Sequence, residues 1–180
     1  MKLTQEELKR QLHYDPDTGI FTRKVVNSNV VKVGQEAGGL SSAGYRYIGI
    51  WGKRMLSHRL AFLYMEGYFP ENDVDHINRI KDDNRWCNLR EVSRSCNMRN
   101  CDMMKTNTSG ITGVQFNKFN QKWVARTRLF DKHVHLGYFD NKLDAAKARW
   151  EAEKKYGFEH CNTKSSAYQY IQKHGKTIDK

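Results

Sequence analysis

The chain reads Val74-Asp75-His76-Ile77-Asn78 near its middle, followed by Asn88-Leu89-Arg90 and then Ser93-Arg94-Ser95-Cys96-Asn97. Apolar periodicity fades over this region while Asp, His, Asn and Arg accumulate, which is typical of a site built on loops. Phosphodiester hydrolysis needs a base for water, a hard cation for the leaving oxygen and positive charge for the backbone. These three segments contain candidates for all three tasks.

Asp75, His76 and Asn97 divide this chemistry by residue type. His76 supplies a base that titrates near neutral pH. Asp75 and Asn97 both present oxygen and together add one negative charge, which suits a magnesium-type ion. Four arginines could bind backbone phosphates, although at this spacing some must simply form a solvated face: Arg85, Arg90, Arg94 and Arg99.

Charge is unevenly distributed along the chain. The 180 residues include 31 Lys and Arg against 20 Asp and Glu, a formal net charge of +11. Residues 1–104 hold 16 basic and 13 acidic side chains, whereas residues 105–180 hold 15 and 7, so the net charges are +3 and +8. A polyanionic partner is indicated, and the C-terminal part reads as the module that binds it.

The first half of the chain predicts an α+β scaffold. Thr4 begins a capping box that opens a short helix, and Pro16 and Gly19 mark the turn that follows it. Residues 45–50 and 53–57 read as a hairpin that turns at Gly52. A helix is predicted from about residue 58 to residue 66, since apolar side chains recur there at helical spacing.

The second half predicts three antiparallel strands and one helix, which would pack as two layers. The strands are expected at residues 113–117, 122–129 and 132–139. Asn141 is the predicted N-cap of the helix and Gly157 its C′ residue. On the middle strand, alternation puts one set of side chains on the helix and the other set in solvent: Lys122, Val124, Arg126 and Arg128.

The stretch from His58 to Asn100 resembles the HNH endonucleases of the ββα-metal superfamily, particularly small homing endonucleases of phages and introns. The matching segments are His58-Arg59-Leu60-Ala61, Val74-Asp75-His76-Ile77, Lys81-Asp82-Asp83-Asn84, Asn88-Leu89-Arg90 and Asn97 with Arg99-Asn100. The resemblance implies that His76 is the general base, that Asp75 and Asn97 bind the metal, and that Asn88 braces the loop that orients His76.

The resemblance also indicates which ion would bind, and it leaves two roles open for His58. Asn97 stands where this family often has His, which favours an oxygen-preferring ion, Mg²⁺ or Mn²⁺, one per active site. His58 could touch phosphate near the site, or it could be a helix-start histidine satisfied by local hydrogen bonds.

Residues 109–162 resemble the AP2 DNA-binding domain. The matching segments are Ser109-Gly110-Ile111-Thr112-Gly113-Val114, Lys122-Trp123-Val124-Ala125-Arg126, Leu136-Gly137-Tyr138-Phe139, Asp144-Ala145-Ala146 and Asn162. That family lays its three-stranded sheet in the major groove, where Arg reads guanine and Gln or Asn reads adenine. The outward positions are then Gln115, Asn117, Arg126, Arg128, His133 and His135, while Lys118, Lys122 and Lys132 are expected to contact phosphate alone.

These features together predict the organisation of the chain. We expect an α+β protein with an HNH nuclease domain at residues 1–101, a linker at 102–110, an AP2-like domain at 111–163 and a tail at 164–180. No window approaches the ~20 apolar residues that a membrane helix needs, and the first residues lack the apolar core of a signal peptide. An intracellular protein is therefore expected, in the cytoplasm of a bacterial host if a phage encodes it.

The leading functional hypothesis is a metal-dependent, site-specific DNA endonuclease of the homing type. Its partner would be double-stranded DNA, with no membrane association and no obligatory protein partner, and one active site per chain favours nicking. The alternative is a sequence-specific DNA-binding regulator whose HNH fold is catalytically silent. A third interpretation is a nuclease for RNA, or for DNA without sequence preference, since basic charge attracts any nucleic acid.

Overall fold

A computed structural model of the chain describes residues 3–25, 31–129, 132–158, 160–162 and 164–175. It separates into two compact units, Met1–Asn97 and Met98–Lys180. Among the described residues, no helix combines the length and the apolar character needed to cross a membrane.

The first unit is built from short helices and antiparallel strand pairs. Its elements are α1 Gln5–Gln11, β1 Leu12–Asp15, β2 Ile20–Arg23, β3 Gly39–Leu40, β4 Arg46–Ile50, β5 Lys53–Leu56, α2 Ser57–Glu66, β6 Asp73–His76, β7 Leu89–Val92 and α3 Arg94–Arg99. The strands form a β1–β2 hairpin, a sheet in the order β3-β4-β5 and a β6–β7 hairpin. α3 ends just past the boundary of the unit.

Local signals in the sequence correctly predict the first elements. The Thr4 hydroxyl accepts a hydrogen bond from the Glu7 amide at 3.3 Å and so caps α1. Asp15 accepts from the amide of Asp17 at 3.0 Å, which closes the predicted turn between β1 and β2. The predicted hairpin over β4 and β5 and the predicted helix α2 are also confirmed.

The core of the first unit gathers apolar side chains from α1, α2 and the strands β1, β2, β4 and β5. Tyr14 and Phe21 face each other across the β1–β2 hairpin, with ring centroids 4.6 Å apart. Fully or almost fully buried around them are Leu8, Leu12, Ile48, Ile50, Leu60 and Ala61. Val74 of β6 and Leu89 of β7 join this cluster, so the second hairpin is anchored to the core through one side chain from each strand.

The second unit is a three-stranded antiparallel sheet with helices. Its elements are β8 Val114–Asn117, β9 Lys122–Leu129, β10 Lys132–Phe139, α4 Lys142–Lys155 and α5 Ser166–His174, and β9 is the central strand. The predicted strands and helix are confirmed, as are the Asn141 cap, which accepts from the Asp144 amide at 2.9 Å, and the positive φ of Gly157, 66°.

Small residues let α4 lie close on this sheet. Ala145 and Ala146 are buried together with Ile111, Val114 and Ala125. α5 adds Ala167 to the same core and lies in the segment predicted only as a tail, of which residues 176–180 fall outside the described residues.

The predicted alternation along β9 is wrong at Val124, which is buried. Arg126 and Arg128 are exposed and Ala125 and Thr127 are buried, as the alternation requires. Val124 lies in register between Gln115 of β8 and Tyr138 of β10. A small side chain in the middle of a central strand is covered by longer neighbours on both sides, even on the face away from the helix.

The turn between β1 and β2 approaches residues 84 and 85 so closely that only glycine fits at position 19. Gly19 has φ +74°, and a Cβ there would overlap the Asn84 carbonyl carbon and the Arg85 amide nitrogen. Both obstacles are backbone atoms, which cannot swing aside as a flexible side chain could. Gly52 has a similar φ, +72°, but open space around it.

We predict that Gly19→Ala lowers the free energy of unfolding by about 3 kcal/mol, since a left-handed conformation and an overlap are both imposed. Gly52→Ala imposes only the left-handed conformation and should cost about 1 kcal/mol. Urea denaturation of the two variants measures both values. Equal losses would show that the turn does not pack against residues 84 and 85.

Candidate functional site

The β6–β7 hairpin and the helix after it position the candidate catalytic residues. β6 pairs with β7 so that Asp75 lies opposite Arg90 and His76 opposite Leu89. Asp75 and His76 are both buried, with 5% and 4% of their surface exposed. The strand β6, which pairs with β7, therefore carries a carboxylate and an imidazole at adjacent positions.

The Asp75 carboxylate is held by an arginine from the facing strand. Arg90 donates from Nε at 2.9 Å and from Nη2 at 2.7 Å, both to Oδ2 of Asp75. A carboxylate buried to this extent needs such a partner, because desolvating its charge is costly. Arg90 was predicted as a candidate for binding phosphate, and the structure gives it this ion pair instead.

The His76 imidazole is enclosed by polar and aromatic neighbours. Its Nε2 lies 3.2 Å from Oδ1 of Asn84. Its ring centroid is 5.0 Å from that of His58, edge to face, and 6.0 Å from that of Tyr45. Burial lowers the pKa of His76, while the Asn84 hydrogen bond and the charge of Asp75 act in the opposite direction.

His58 lies at the start of α2 and is as deeply buried as His76. Burial, with smaller contributions from His76 and Arg59, lowers the pKa of His58 to about 3. Among the residues that the structure describes, its Nδ1 atom has no hydrogen-bond partner. This neutral, desolvated imidazole lies against His76 and is poorly suited to hold a phosphate by charge.

Asn88 spans the loop between β6 and β7. Its Oδ1 accepts from the amide of Asn78 at 2.9 Å, and its Nδ2 donates to the carbonyl of Asp83 at 2.7 Å. Its own carbonyl accepts from the amide of Ile77, the residue after His76, at 2.9 Å. These bonds join the start and the middle of the loop to Asn88 at its end, and bracing of His76 by Asn88 remains a prediction.

Asn97 lies on α3 and contacts β6 through Asp73. Its Nδ2 donates to Oδ2 of Asp73 at 2.9 Å. Asp73 and Asp75 are two residues apart on one strand and share a face. The bond to Asp73 therefore ties the Asn97 amide nitrogen to β6.

A divalent ion at this site would need oxygen donors from the protein. Within the described ranges, no group of three or more His, Cys, Asp or Glu side chains could hold a metal ion. The predicted pair is Asp75 and Asn97, an anionic and a neutral oxygen donor, and hard cations such as Mg²⁺ bind by few protein oxygens and several waters. The donor types therefore fit such an ion, and Arg90 shares the carboxylate.

The arginines predicted near the site differ in their surroundings. The Arg94 side chain is 82% exposed and lies 3.5 Å from Asp73. Arg99, in the second unit, donates to the Arg128 carbonyl at 3.1 Å and lies over the Phe158 ring at 3.7 Å. Arg85 pairs with Asp83 at 2.6 Å. Arg94 is thus the most accessible of the three to a phosphate group.

The face of the second unit's sheet away from α4 carries most of the residues predicted to contact DNA. Arg126 pairs in register with His135, and Arg128 with His133. These four side chains are exposed, as are Gln115 and the predicted phosphate contacts Lys118, Lys122 and Lys132. Asn117 is engaged locally, because its Oδ1 accepts from the amides of Phe119 at 2.9 Å and Asn120 at 3.2 Å.

Three residues of the first-unit site received no role from the sequence: Asn84, Tyr45 and Asp73. Asn84 and Tyr45 reach His76 from the loop and from the residue preceding β4. The only sequence signal for Asp73 is its spacing of two residues from Asp75, which places both side chains on one face of a strand. The contacts of Asn84 and Tyr45 with His76 follow from tertiary folding, and the segment around Asn84 that resembles the HNH family gives that residue no role.

Comparison with known proteins concerns the same region. Residues 56–99 match the family model described as HNH endonuclease, HNH_3. This match spans α2, β6, β7 and α3, so the similarity to HNH endonucleases lies in that part of the chain. HNH nucleases generally depend on a divalent metal ion.

Among solved structures, the chain is similar to the HNH homing endonuclease I-HmuI, whose structure is titled "DNA binding and cleavage by the HNH homing endonuclease I-HmuI". The identity is 28% over 50% of this chain and 51% of that one, with a TM-score of 0.39. The match thus spans about half the length of I-HmuI. No curated protein matches the chain significantly.

We predict an acid-side loss of stability that depends on His58. Its pKa in the folded state, about 3, lies below its ordinary value of 6.5. Protonation therefore favours the unfolded chain, so the contribution of neutral His58 is complete above pH 6.5 and is lost as pH falls toward 3. Urea denaturation at a series of pH values should show this decline in the wild type and a shallower one in His58→Phe.

The exposed His13 provides the control for this measurement. His13→Phe leaves His58 in place and should therefore keep the decline of stability as pH falls toward 3. Identical slopes for His58→Phe and the wild type would show that His58 is not held neutral in the folded state.

Proposed function

We propose that the chain is a metal-dependent, site-specific DNA endonuclease of the homing type, which hydrolyses a phosphodiester bond and acts by nicking. The observation that carries this proposal is the buried Asp75–His76 pair on β6, within the segment that matches the HNH endonuclease model. The basic second unit would bind the target. The two units together would recognise a longer site than either alone.

His76 would act as the general base. Burial lowers its pKa, so the imidazole is neutral at physiological pH and can accept a proton. Water that has lost a proton to His76 would attack the phosphorus atom, and the products would carry 5′-phosphate and 3′-hydroxyl ends. Asn88 would hold the loop from which the imidazole is oriented.

Asp75 and Asn97 would hold the ion. A divalent cation bound there would stabilise the charge that develops on the leaving 3′ oxygen. Arg90 fixes the Asp75 carboxylate in place, because it donates two hydrogen bonds to the same oxygen, Oδ2. Solvent and DNA phosphate would complete the coordination shell of the ion.

The exposed face of β8, β9 and β10 would lie against the DNA. Arg126 and Arg128 can read guanine, and Gln115 can read adenine, in a major groove. His133 and His135 flank the two arginines in register. Lys118, Lys122 and Lys132 would bind phosphates and set the register of the protein on the duplex. Tethering this sheet to the nuclease unit raises the local concentration of the active site at the target.

We predict that His76→Ala abolishes strand cleavage while DNA affinity stays within a few fold. The base acts in the transition state, whereas the second unit would hold the DNA in both states. Conversion of supercoiled plasmid to open circle, measured with and without Mg²⁺, reports cleavage. His13→Ala, at an exposed histidine of β1, is the matched control and should cut normally.

The same assay separates the competing functions. Chelation by EDTA should stop the wild type, and Mg²⁺ or Mn²⁺ should restore cutting. Binding without any cleavage would instead identify a regulator with a silent HNH fold. Equal cutting of RNA and of all DNA sequences would identify a nuclease without target preference. Full activity in EDTA would remove the metal from the proposal.

We predict that Arg126→Ala and Arg128→Ala each weaken binding to the selected target by about 1 to 3 kcal/mol if the side chain reads a base edge. A contact to phosphate alone should weaken cognate and scrambled duplexes equally. Targets would first be selected from a random duplex pool, and competition would then be measured at fixed salt.

Lys147→Ala is the matched control for these variants, since it removes one exposed positive charge from α4 and not from the sheet. It should change the affinity for both duplexes little. Unchanged discrimination in both arginine variants would show that the sheet face is not the reader of the sequence.

A further inference from the structure

Asn84 is the side chain whose amide faces the imidazole of His76. It is 1% exposed, and its Oδ1 lies 3.2 Å from Nε2 of His76. Neither the HNH resemblance nor the spacing of the motif assigns this residue a role. Because the contact joins two buried polar groups, it determines where the proton of the neutral imidazole lies.

The orientation of the Asn84 amide follows from its second hydrogen bond. Its Nδ2 donates to the carbonyl oxygen of Asp82 at 3.1 Å. The amide oxygen is therefore the atom directed at His76, and an amide oxygen can only accept a hydrogen bond. Nε2 of His76 must then carry the hydrogen, which leaves Nδ1 as the unprotonated nitrogen of the neutral ring.

The backbone of Asn84 is fixed from the opposite side. The buried Tyr14 hydroxyl donates to the Asn84 carbonyl at 2.7 Å, and the Asn84 amide donates to the Asp82 carbonyl at 3.1 Å. The Gly19 turn closes on the same peptide so tightly that no Cβ fits there. The acceptor for His76 is therefore held by the β1–β2 hairpin, far from the motif in sequence.

We propose that Asn84 is a positioning residue that holds His76 in the tautomer protonated at Nε2, so that Nδ1 is the atom that accepts the proton from water. This proposal deepens the proposed nuclease function and rests on it for its catalytic meaning. Asn84 itself does not touch the reacting atoms. It acts by selecting the tautomer and the ring orientation of His76.

The proton and electron balance of the step follows from this assignment. A water proton moves to Nδ1 of His76, and the oxygen left behind forms a bond to phosphorus. The bond between phosphorus and the 3′ oxygen breaks, its electron pair stays on that oxygen, and solvent protonates it. The imidazolium that results keeps its Nε2 hydrogen bonded to the Asn84 amide oxygen, which is a favourable acceptor for the positive ring.

The test uses nitrogen NMR of the full chain together with plasmid nicking. At about pH 8, where His76 is neutral, the ¹⁵N shifts of its two ring nitrogens identify the protonated one without any DNA present. The wild type should show protonation at Nε2. Protonation at Nδ1 in the folded wild type would overturn the proposal, whatever the activity.

Two substitutions that keep a side chain of similar shape distinguish the loss of the hydrogen-bond acceptor from the loss of packing. Asn84→Leu removes the acceptor, and we expect loss of the pure Nε2-protonated tautomer and cleavage slowed at least tenfold, with DNA affinity unchanged. Asn84→Asp keeps an oxygen acceptor and should retain the Nε2 hydrogen, although it loses the bond to Asp82. Its carboxylate raises the pKa of His76, so the rate should stay close to that of the wild type only at a pH where the imidazole is neutral. Cleavage by Asn84→Leu at the wild-type rate would overturn the proposal.

Control measurements separate the role of Asn84 from a failure to fold and from a failure of the proposed nuclease function. Asn72→Ala removes an exposed asparagine that bonds to Glu91 and should alter neither the tautomer nor the rate. If Asn84→Leu does not fold, the wild-type spectrum and Asn84→Asp still decide the proposal. If His76→Ala cuts as fast as the wild type, the proposed function fails, whereas the tautomer assignment is decided by the spectrum alone.

Discussion

Burial of a carboxylate and an imidazole next to each other on β6 is the constraint on which the first unit depends. Each group loses its hydration when Asp75 and His76 leave water, so each needs a fixed polar partner. Arg90 donates two hydrogen bonds to the carboxylate from the facing strand, and the amide oxygen of Asn84, in the loop, accepts one from the imidazole. The antiparallel register of β6 and β7 brings Arg90 opposite Asp75, so the strand pairing and the ion pair support each other.

Several hydrogen bonds hold the loop between β6 and β7 in place. Asn88 joins its two ends, and Asp83 accepts hydrogen bonds from both Asn78, at 2.6 Å, and Arg85. The Arg85 guanidinium holds the pKa of Asp83 at about 2, so this carboxylate is charged throughout the neutral range. The Gly19 turn then closes over the loop from β1 and β2. A hydrolytic site benefits from this rigidity, because a base must be held in one orientation to accept a proton efficiently.

A buried ion pair plays a comparable part in the second unit. Arg149 and Glu153, one turn apart on α4, are both buried and lie 3.0 Å apart, and Arg149 also donates to the carbonyl of Arg126 at 3.1 Å. The helix is thereby joined to the backbone of the strand whose side chains point away from it. Two exposed arginines on β9 are thus presented from a rigid sheet, although Arg126 and Arg128 are themselves long and flexible.

Local sequence determined most of the secondary structure of this protein and the identity of the paired residues on β6. Capping signals at Thr4 and Asn141, the turn at Gly19 and the alternation on β9 depend on neighbours within a few positions, so they can be read without a fold. The tertiary structure alone decided that Arg90 pairs with Asp75, that Asn84 faces His76, that Val124 is covered and that residues 166–174 form a helix against α4. These outcomes depend on which side chains meet after the strands pair and the loops close, and burial and hydrogen bonding between distant positions leave no periodic trace in the sequence.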